Sequence, residues 1–186
     1  MSMCDPDGVQ RQPLHSRAIT ITGCKRSDGL YEVEGLLVDT KPFDFQPPSG
    51  DRVVAAGSPI HQMRVRIVYD EGMTVRDVIA ASEAFPYATC QGGPATLKVL
   101  IGLSLSRGWS AEVRQRLAGA AGCVHLTGLL VPMAATAFQA MVTVRLAEAE
   151  QRGGFQPTID GCVAYSRHGD LVRERYPTFY VAPADA

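Results

Sequence analysis

The sequence predicts an α+β fold, a small antiparallel sheet with helices packed on one face. The first indication is a pair of β-rich runs, 18–22 and 30–39, joined by a turn at Asp28-Gly29. The second is the run 61–69, in which apolar residues alternate with polar ones. The third is a long helical pattern after Gly122. Together the three patterns predict a sheet covered by helices.

The 186 residues fit one domain with a hydrophobic core. Residues 1–14 are polar and contain prolines, so we expect a flexible N-terminal arm there and a single α+β domain over residues 15–186. The two β-rich runs predict an antiparallel hairpin. The prolines and glycines of residues 40–57 predict a long connection before the clearest strand, 61–69.

Residues 74–118 predict three helices separated by loops. Thr74 is placed to cap the first, over residues 74–85, for which a strand with a short helix is the alternative interpretation. The second occupies residues 95–105, after a loop that carries Cys90 and the Gly92-Gly93 pair. Ser110 is placed to cap the third, over residues 111–118.

The last third of the chain predicts a long helix and a second hairpin. The helical pattern follows Gly122 and ends near Gly153-Gly154. Either the main helix begins close to Pro132, which then lies in its first turn, or Pro132 kinks a helix that begins near His125. Residues 162–165 and 171–176, on either side of a glycine turn, predict the C-terminal hairpin.

Composition and charge exclude several classes of protein. Eighteen basic and 19 acidic residues give a net charge of -1, which provides no basic field for nucleic acid or an anionic membrane. The chain lacks an apolar signal segment and a membrane-spanning run, so we expect a cytoplasmic protein. Five scattered cysteines are expected as thiols. Phosphate-loop, dinucleotide and serine-hydrolase motifs are absent.

Four residues form a candidate metal site. Cys123 and His125 lie two apart at the predicted start of the long helix, where a helix N-terminus favours a thiolate. Cys90 lies in a glycine-rich loop before a helix, and His61 begins the clearest strand. Two cysteines and two histidines match the ligand count of a tetrahedral zinc site. A buried thiol beside a backbone-bonded histidine is the structural alternative for each.

A second set of polar residues surrounds the predicted N-terminal hairpin. It comprises His15, Arg17, Arg26 with Asp28, and Asp39 with Lys41. Arg17 or Arg26 could hold a carboxylate or phosphate of a ligand. A solvated surface of ion pairs is the favoured alternative.

The chain resembles an uncharacterised bacterial family, catalogued as domain of unknown function 2889, over residues 15–180. The resemblance rests on five segments, His15-x-Arg17, Arg26-Ser27-Asp28-Gly29-Leu30, Asp39-x-Lys41, Ile60-His61-x-Met63 and Gly122-Cys123-x-His125-Leu126. This family implies little about function.

The chain is also similar, more loosely, to iron–sulfur scaffold proteins of the IscU, SufE and NifU type. The strand 63–70, Cys90 before a helix, and Cys123 at the head of a long helix carry this similarity. It implies ligands at His61, Cys90 and Cys123, with His125 as an added imidazole. Next to the first ligand position, this chain has Gln62 where the scaffold family has Gly-Asp. The predicted N- and C-terminal hairpins have no counterpart in that family.

Three classes of function remain open from the sequence. The leading hypothesis is an accessory or scaffold protein, or small metalloprotein, that binds zinc or an iron–sulfur cluster through His61, Cys90, Cys123 and His125. The second is a metal-free enzyme in which Cys123 or Cys90 is the thiolate nucleophile, His125 or His61 is its base, and Arg17 or Arg26 holds an acidic substrate. The third is a binding module for a protein partner or small molecule, in which these residues are structural.

Overall fold

The computed structural model describes residues 9–48, 50, 52–151 and 158–183. The chain divides into two compact units, Met1–Met141 and Val142–Ala186, and each is described by itself. Residues 1–8 of the expected arm lie outside the described residues, whereas residues 9–14 are exposed and have no regular secondary structure. The expectation of one domain over residues 15–186 stays a prediction.

The first unit is an antiparallel sheet with helices. Its strands are β1 (Ser16–Lys25), β2 (Tyr31–Thr40), β3 (Pro59–Tyr69) and β4 (Val75–Ala84), and they are hydrogen-bonded in that order. A 3₁₀ segment, Ala88–Leu100, comes before helices α1 (Trp109–Leu117) and α2 (Val124–Ala140). The predicted α+β class, the antiparallel sheet and the N-terminal hairpin are confirmed.

The hairpin of β1 and β2 forms because the turn residues suit a reversal of the chain. Gly29 has a φ of 86°, which only glycine adopts at little cost. The Asp28 carboxylate accepts a hydrogen bond from the backbone N–H of Leu30 at 3.2 Å. Every second residue of β2 is buried, and Val33 and Leu37 are fully inaccessible to solvent. This alternation places one face of the sheet against the core.

Helix α2 covers that inner face at close range. Leu126, Leu129 and Met133 on this helix are fully buried. Two glycines on the strands allow the approach: a Cβ at Gly23 would lie 2.7 Å from the Cβ of Ala140, and one at Gly35 would lie 2.9 Å from the Sδ of Met133. The helix therefore lies closest to the sheet at Gly23 and Gly35, which have no side chains.

Two buried hydrogen bonds fix the position of α2. The Tyr69 hydroxyl on β3 donates to the backbone oxygen of Ala137 at 3.3 Å. The indole N–H of Trp109, in the first turn of α1, donates to the backbone oxygen of Leu130 at 2.7 Å. Both aromatic side chains are buried, so their polar atoms need these partners.

The helix predicted over residues 74–85 is wrong, because this segment forms strand β4. It pairs antiparallel with β3, and the register shifts at two points along the pair. Val75 and Val78 are buried, whereas Arg76 and Ile79 are exposed. The alanines and Glu83 favour a helix locally, but pairing with the open edge of β3 outweighs this preference.

Helix α1 and the start of α2 are confirmed with shifted boundaries, whereas a 3₁₀ segment replaces the helix predicted over residues 95–105. The segment after the Cys90 loop is a 3₁₀ segment that already contains Cys90 and ends at Leu100. Helix α1 begins one residue before Ser110, and its N-cap is Gly108 with a φ of 70°, so no Ser110 cap forms. Helix α2 begins at Val124 with Cys123 as its N-cap, which places Pro132 inside the helix.

The second unit is helical in its described part, so the predicted C-terminal hairpin is wrong. It contains α3 (Val142–Gln151), α4 (Asp170–Arg175) and two short 3₁₀ turns, Val163–Tyr165 and Pro177–Phe179. Asp170 in the first turn and Arg175 in the last suit the dipole of α4. Residues 152–157, within the expected long helix, lie outside the described residues.

We predict that Gly23→Ala destabilises the fold by about 1–3 kcal/mol, because the new methyl group meets the Cβ of Ala140, which cannot rotate away. Gly128→Ala is the matched control. Its Cβ meets nothing within 4 Å on α2, so helix propensity predicts a gain of about 0.5–1 kcal/mol. Urea unfolding measures both, and equal stability of the two variants would contradict this packing.

Candidate functional site

A row of three polar residues crosses the inner face at one end of the sheet. Asp39 on β2 lies directly opposite Arg17 on β1 and opposite His61 on β3. Residues opposite one another in a sheet point to the same face, so the three side chains are neighbours. In β2 the row continues the buried series of Val33 and Leu37, and Asp39 is 1% exposed. The row therefore brings a carboxylate into the core.

The Asp39 carboxylate is fully paired. Arg17 binds it with two hydrogen bonds, from Nε to Oδ1 at 2.7 Å and from Nη2 to Oδ2 at 2.8 Å. His15 Nε2 lies 3.3 Å from Oδ1, and His61 Nδ1 lies 3.1 Å from Oδ2. A buried carboxylate without such partners would be strongly unfavourable. Asp39 therefore fixes the positions of two histidines and one arginine.

Helix α2 brings two further groups to this row. The His125 ring stacks on the His61 ring, with centroids 3.6 Å apart and planes 25° apart. His125 Nε2 lies 3.8 Å from Asp39 Oδ2, and His125 Nδ1 lies 3.9 Å from the Sγ of Cys123. The Cys123 thiol and the His125 imidazole at the start of α2 thus lie in a row with the buried Asp39 carboxylate.

The charges of Asp39 and His61 follow from their surroundings. Burial raises the pKa of Asp39, but the hydrogen bonds and charge of Arg17, followed by those of His15, outweigh it and bring the pKa to about 2. Burial lowers the pKa of His61 below its ordinary value, and this exceeds the opposing effect of Asp39. Asp39 is therefore ionised and His61 neutral at neutral pH, which leaves Nε2 of His61 as a free lone pair.

The surroundings of Cys123 lower the pKa of its thiol. Its hydrogen bond with His125 lowers the pKa of Cys123, burial opposes this, and the backbone N–H groups of Leu126 and His125 lower it further. These N–H groups belong to the first turn of α2, where intrahelical acceptors are missing. The absence of a side chain at Gly93 lets the 3₁₀ segment pack against Cys123, because a Cβ at Gly93 would lie 3.1 Å from the Cβ of Cys123.

A pocket of about 420 Å³ lies beside the stacked histidines. Its lining includes His61, Cys90, Cys123 and His125, the four residues that the sequence predicts as metal ligands. Side chains from β3, the 3₁₀ segment and the start of α2 therefore meet at one cavity. This volume is within the range of small-molecule sites.

The structure groups the predicted residues unevenly. Among the described residues, the ligand atoms that lie within 4.8 Å of one another belong to Asp39, His61 and His125. This group contains no cysteine. His15 and Arg17 bind Asp39, whereas Arg26 pairs with Asp28 and Glu32 at the opposite end of the hairpin. The predicted metal-ligand and ligand-binding roles of these residues stay predictions.

Asp39 is the residue of this cluster that sequence reasoning missed as a site residue. The signal was present, because Tyr31, Val33, Leu37 and Asp39 occupy the same alternate positions of one strand. A carboxylate at a position that the alternation assigns to the core requires a cation or donors nearby. Such a residue indicates a polar cluster even when its partners are distant in sequence.

Residues 15–139 match the model of a family described as "Protein of unknown function (DUF2889)". The chain belongs to this family. The matched range contains every residue of the cluster and of the pocket lining. Neither a curated protein nor a solved structure matches the chain. The similarity to iron–sulfur scaffolds therefore stays a prediction. Within the part of the chain that the structure describes, the helices are too short or too polar to cross a membrane.

We predict that Asp39→Asn destabilises the metal-free protein by about 2 kcal/mol at pH 7, because the arginine and histidines that pair with this buried carboxylate lose its charge. The folded pKa is lowered, so this stabilisation is present above pH 3.8 and is lost as the pH falls toward about 2. Asp28→Asn is the matched control, since it breaks an exposed arginine pair of the same hairpin. Urea unfolding across this pH range should show no measurable effect of the control, and a similar loss in both variants would contradict the assigned role of Asp39.

Proposed function

We propose that this protein binds a zinc ion or an iron–sulfur cluster at the pocket, through His61, Cys90, Cys123 and His125, with Asp39 holding the imidazoles. One observation carries the proposal: these four side chains, from three separate elements, line the same cavity. Two imidazoles and two thiolates complete the tetrahedral ligand set that zinc prefers. The same set suits iron in a cluster.

Asp39 acts in this site as the partner of a ligand rather than as a ligand. Its Oδ2 already accepts hydrogen bonds from Arg17 and His61. An ion bound to that oxygen would lie beside the guanidinium charge of Arg17, which disfavours it. A carboxylate bonded to Nδ1 instead directs Nε2 of His61 toward a metal, the arrangement that commonly supports histidine ligands.

Metal binding requires His125 to turn out of its stack with His61. The lone pair of an imidazole nitrogen lies in the plane of its ring. Two nearly parallel rings with centroids 3.6 Å apart cannot both direct a lone pair at one ion about 2.0 Å away. His125 is 22% exposed and belongs to the first turn of α2, so its side chain has room to rotate.

A site with four protein ligands suits an accessory, storage or scaffold role better than hydrolysis at the metal. Catalytic zinc keeps one position open for water, whereas a complete set of four holds the ion without reaction. The function that follows is the binding of a metal ion, or its delivery to a partner, in a small metalloprotein.

In protein purified without chelators we predict about one equivalent of zinc, or about two to four equivalents of iron with a similar amount of inorganic sulfide, measured by elemental and sulfide analysis. Cys123→Ser and His61→Ala should each lower the metal content severalfold, because each removes a ligand. Asp39→Asn should weaken binding about 10–100-fold while keeping the ligands. His168→Ala is the control, since His168 bonds to the backbone of Val181 in the second unit.

Loading the protein with Co²⁺ distinguishes the possible ligand sets. Absorption from thiolate-to-cobalt charge transfer appears if cysteines coordinate the ion, and it should weaken in Cys90→Ser. Cobalt bound without this absorption would indicate that Asp39, His61 and His125 hold the ion and that the cysteines do not. Wild-type protein without metal after purification and reloading would end the proposal.

A metal-free thiol enzyme is the second candidate, and the alignment of Cys123, His125 and Asp39 favours it. Separations of 3.9 Å and 3.8 Å join the thiol to the imidazole and the imidazole to the carboxylate. Such an order lets the imidazole accept the proton of a thiol nucleophile while the carboxylate stabilises the resulting cation.

For this candidate we predict that His125→Ala slows alkylation of Cys123 by iodoacetamide about tenfold at pH 7 in metal-free protein, because the thiolate loses its partner. Mass spectrometry of the Cys123 peptide measures the rate, with the exposed Cys24 as internal reference. His168→Ala should leave the rate unchanged. Equal rates for Cys123 in wild type and His125→Ala would contradict the pairing.

A further inference from the structure

The pocket beside the histidines has a chemical character of its own. Apart from the four proposed ligands, its lining is formed by backbone and by uncharged side chains, among them Pro86, Tyr87, Thr89, Ala120 and Val124. The described lining residues include no aspartate, glutamate, lysine or arginine. A charged ligand group would thus lose its hydration there without gaining an opposite charge from a side chain.

The arginine that pairs with Asp39 does not supply that charge. Arg17 does not line the pocket, and its guanidinium is bound by both oxygens of Asp39. Releasing Arg17 toward a ligand would leave the buried carboxylate without its main partner, which is costly. The site therefore lacks the fork of donors with which arginine recognises acids.

The proposed metal set adds no net charge to the pocket. Two thiolates balance the two positive charges of a divalent ion, and the two imidazoles are neutral when they coordinate. An anion consequently finds little attraction at the metal.

One rim of the pocket is held in place as an apolar wall. The Tyr87 hydroxyl donates a hydrogen bond to the backbone oxygen of Pro48 at 2.7 Å, which ties the long connection after β2 to the pocket. Thr96 donates its hydroxyl to the backbone oxygen of Gly93 at 2.7 Å and is thereby satisfied. Thr89 remains as a polar side chain able to orient a ligand.

We propose that this pocket binds an uncharged, largely apolar small molecule with at most one or two polar groups. The volume of about 420 Å³ fits a molecule of roughly the size of a substituted aromatic ring with a short chain. The proposal rests on the proposed metal site in one respect, namely that the metal and its four ligands carry no net charge. The uncharged lining supports it independently.

The test compares two probes of similar size, benzyl alcohol and benzoate, by shifts of backbone amide resonances in ¹⁵N-labelled full-length protein. Benzyl alcohol should bind at least about tenfold more tightly than benzoate, and its shifts should centre on Gly92, Gly93 and Cys123. Gly92→Leu should abolish binding, because Gly92 lines the pocket and an added Cβ there meets nothing within 4 Å, which leaves room for the larger side chain to occupy ligand space. Gly128→Leu, equally open but outside the lining, should bind as the wild type does.

Measurement in metal-loaded and metal-free protein separates this proposal from the metal site. Selective binding of benzyl alcohol that is lost in Gly92→Leu supports the pocket in either state, even if the protein proves to bind no metal. Binding of benzoate with equal or higher affinity overturns the proposal. Unchanged binding in Gly92→Leu, or no binding of either probe up to its solubility, overturns it as well.

Discussion

The pairing of the buried Asp39 carboxylate is the constraint on which this end of the molecule depends. Asp39 occupies a core position of β2 and is 1% exposed, so its charge must be compensated by protein groups. Arg17 and His15 come from the start of β1, and His61 comes from β3. One ionised side chain thereby joins three segments of the chain and determines which histidine nitrogen is free.

The same cluster links the sheet to helix α2. His125 stacks on His61, and Cys123 occupies the N-cap position, just before the first turn of the helix. The helix reaches this position because Gly23 and Gly35 let it lie close to the strands, and because Tyr69 bonds to its backbone. The pocket is thus a product of helix–sheet packing, and its chemistry is set by residues at the ends of elements.

Sequence patterns predicted the first half of the fold well. The alternation in residues 30–39 and 61–69, and the Asp28-Gly29 turn, identify the strands because each such signal is local. Strand β4 was missed because its alanines favour a helix, and its strand form depends on the open edge of β3. The C-terminal hairpin was wrong for a related reason, since short apolar runs such as 171–176 suit a strand or a helix equally.

For the candidate site, the sequence by itself determined the chemistry: two cysteines and two histidines at the ends of elements, with Cys123 at the start of a helix. Those assignments depend on residue type and on spacing along the chain, which the sequence displays directly. The tertiary structure decided that these four side chains share one pocket and that Asp39 holds the histidines. The register of the strands and the position of α2 depend on contacts between residues that are distant in sequence. Only these contacts bring the ligand atoms of Asp39, His61 and His125 within 4.8 Å of one another.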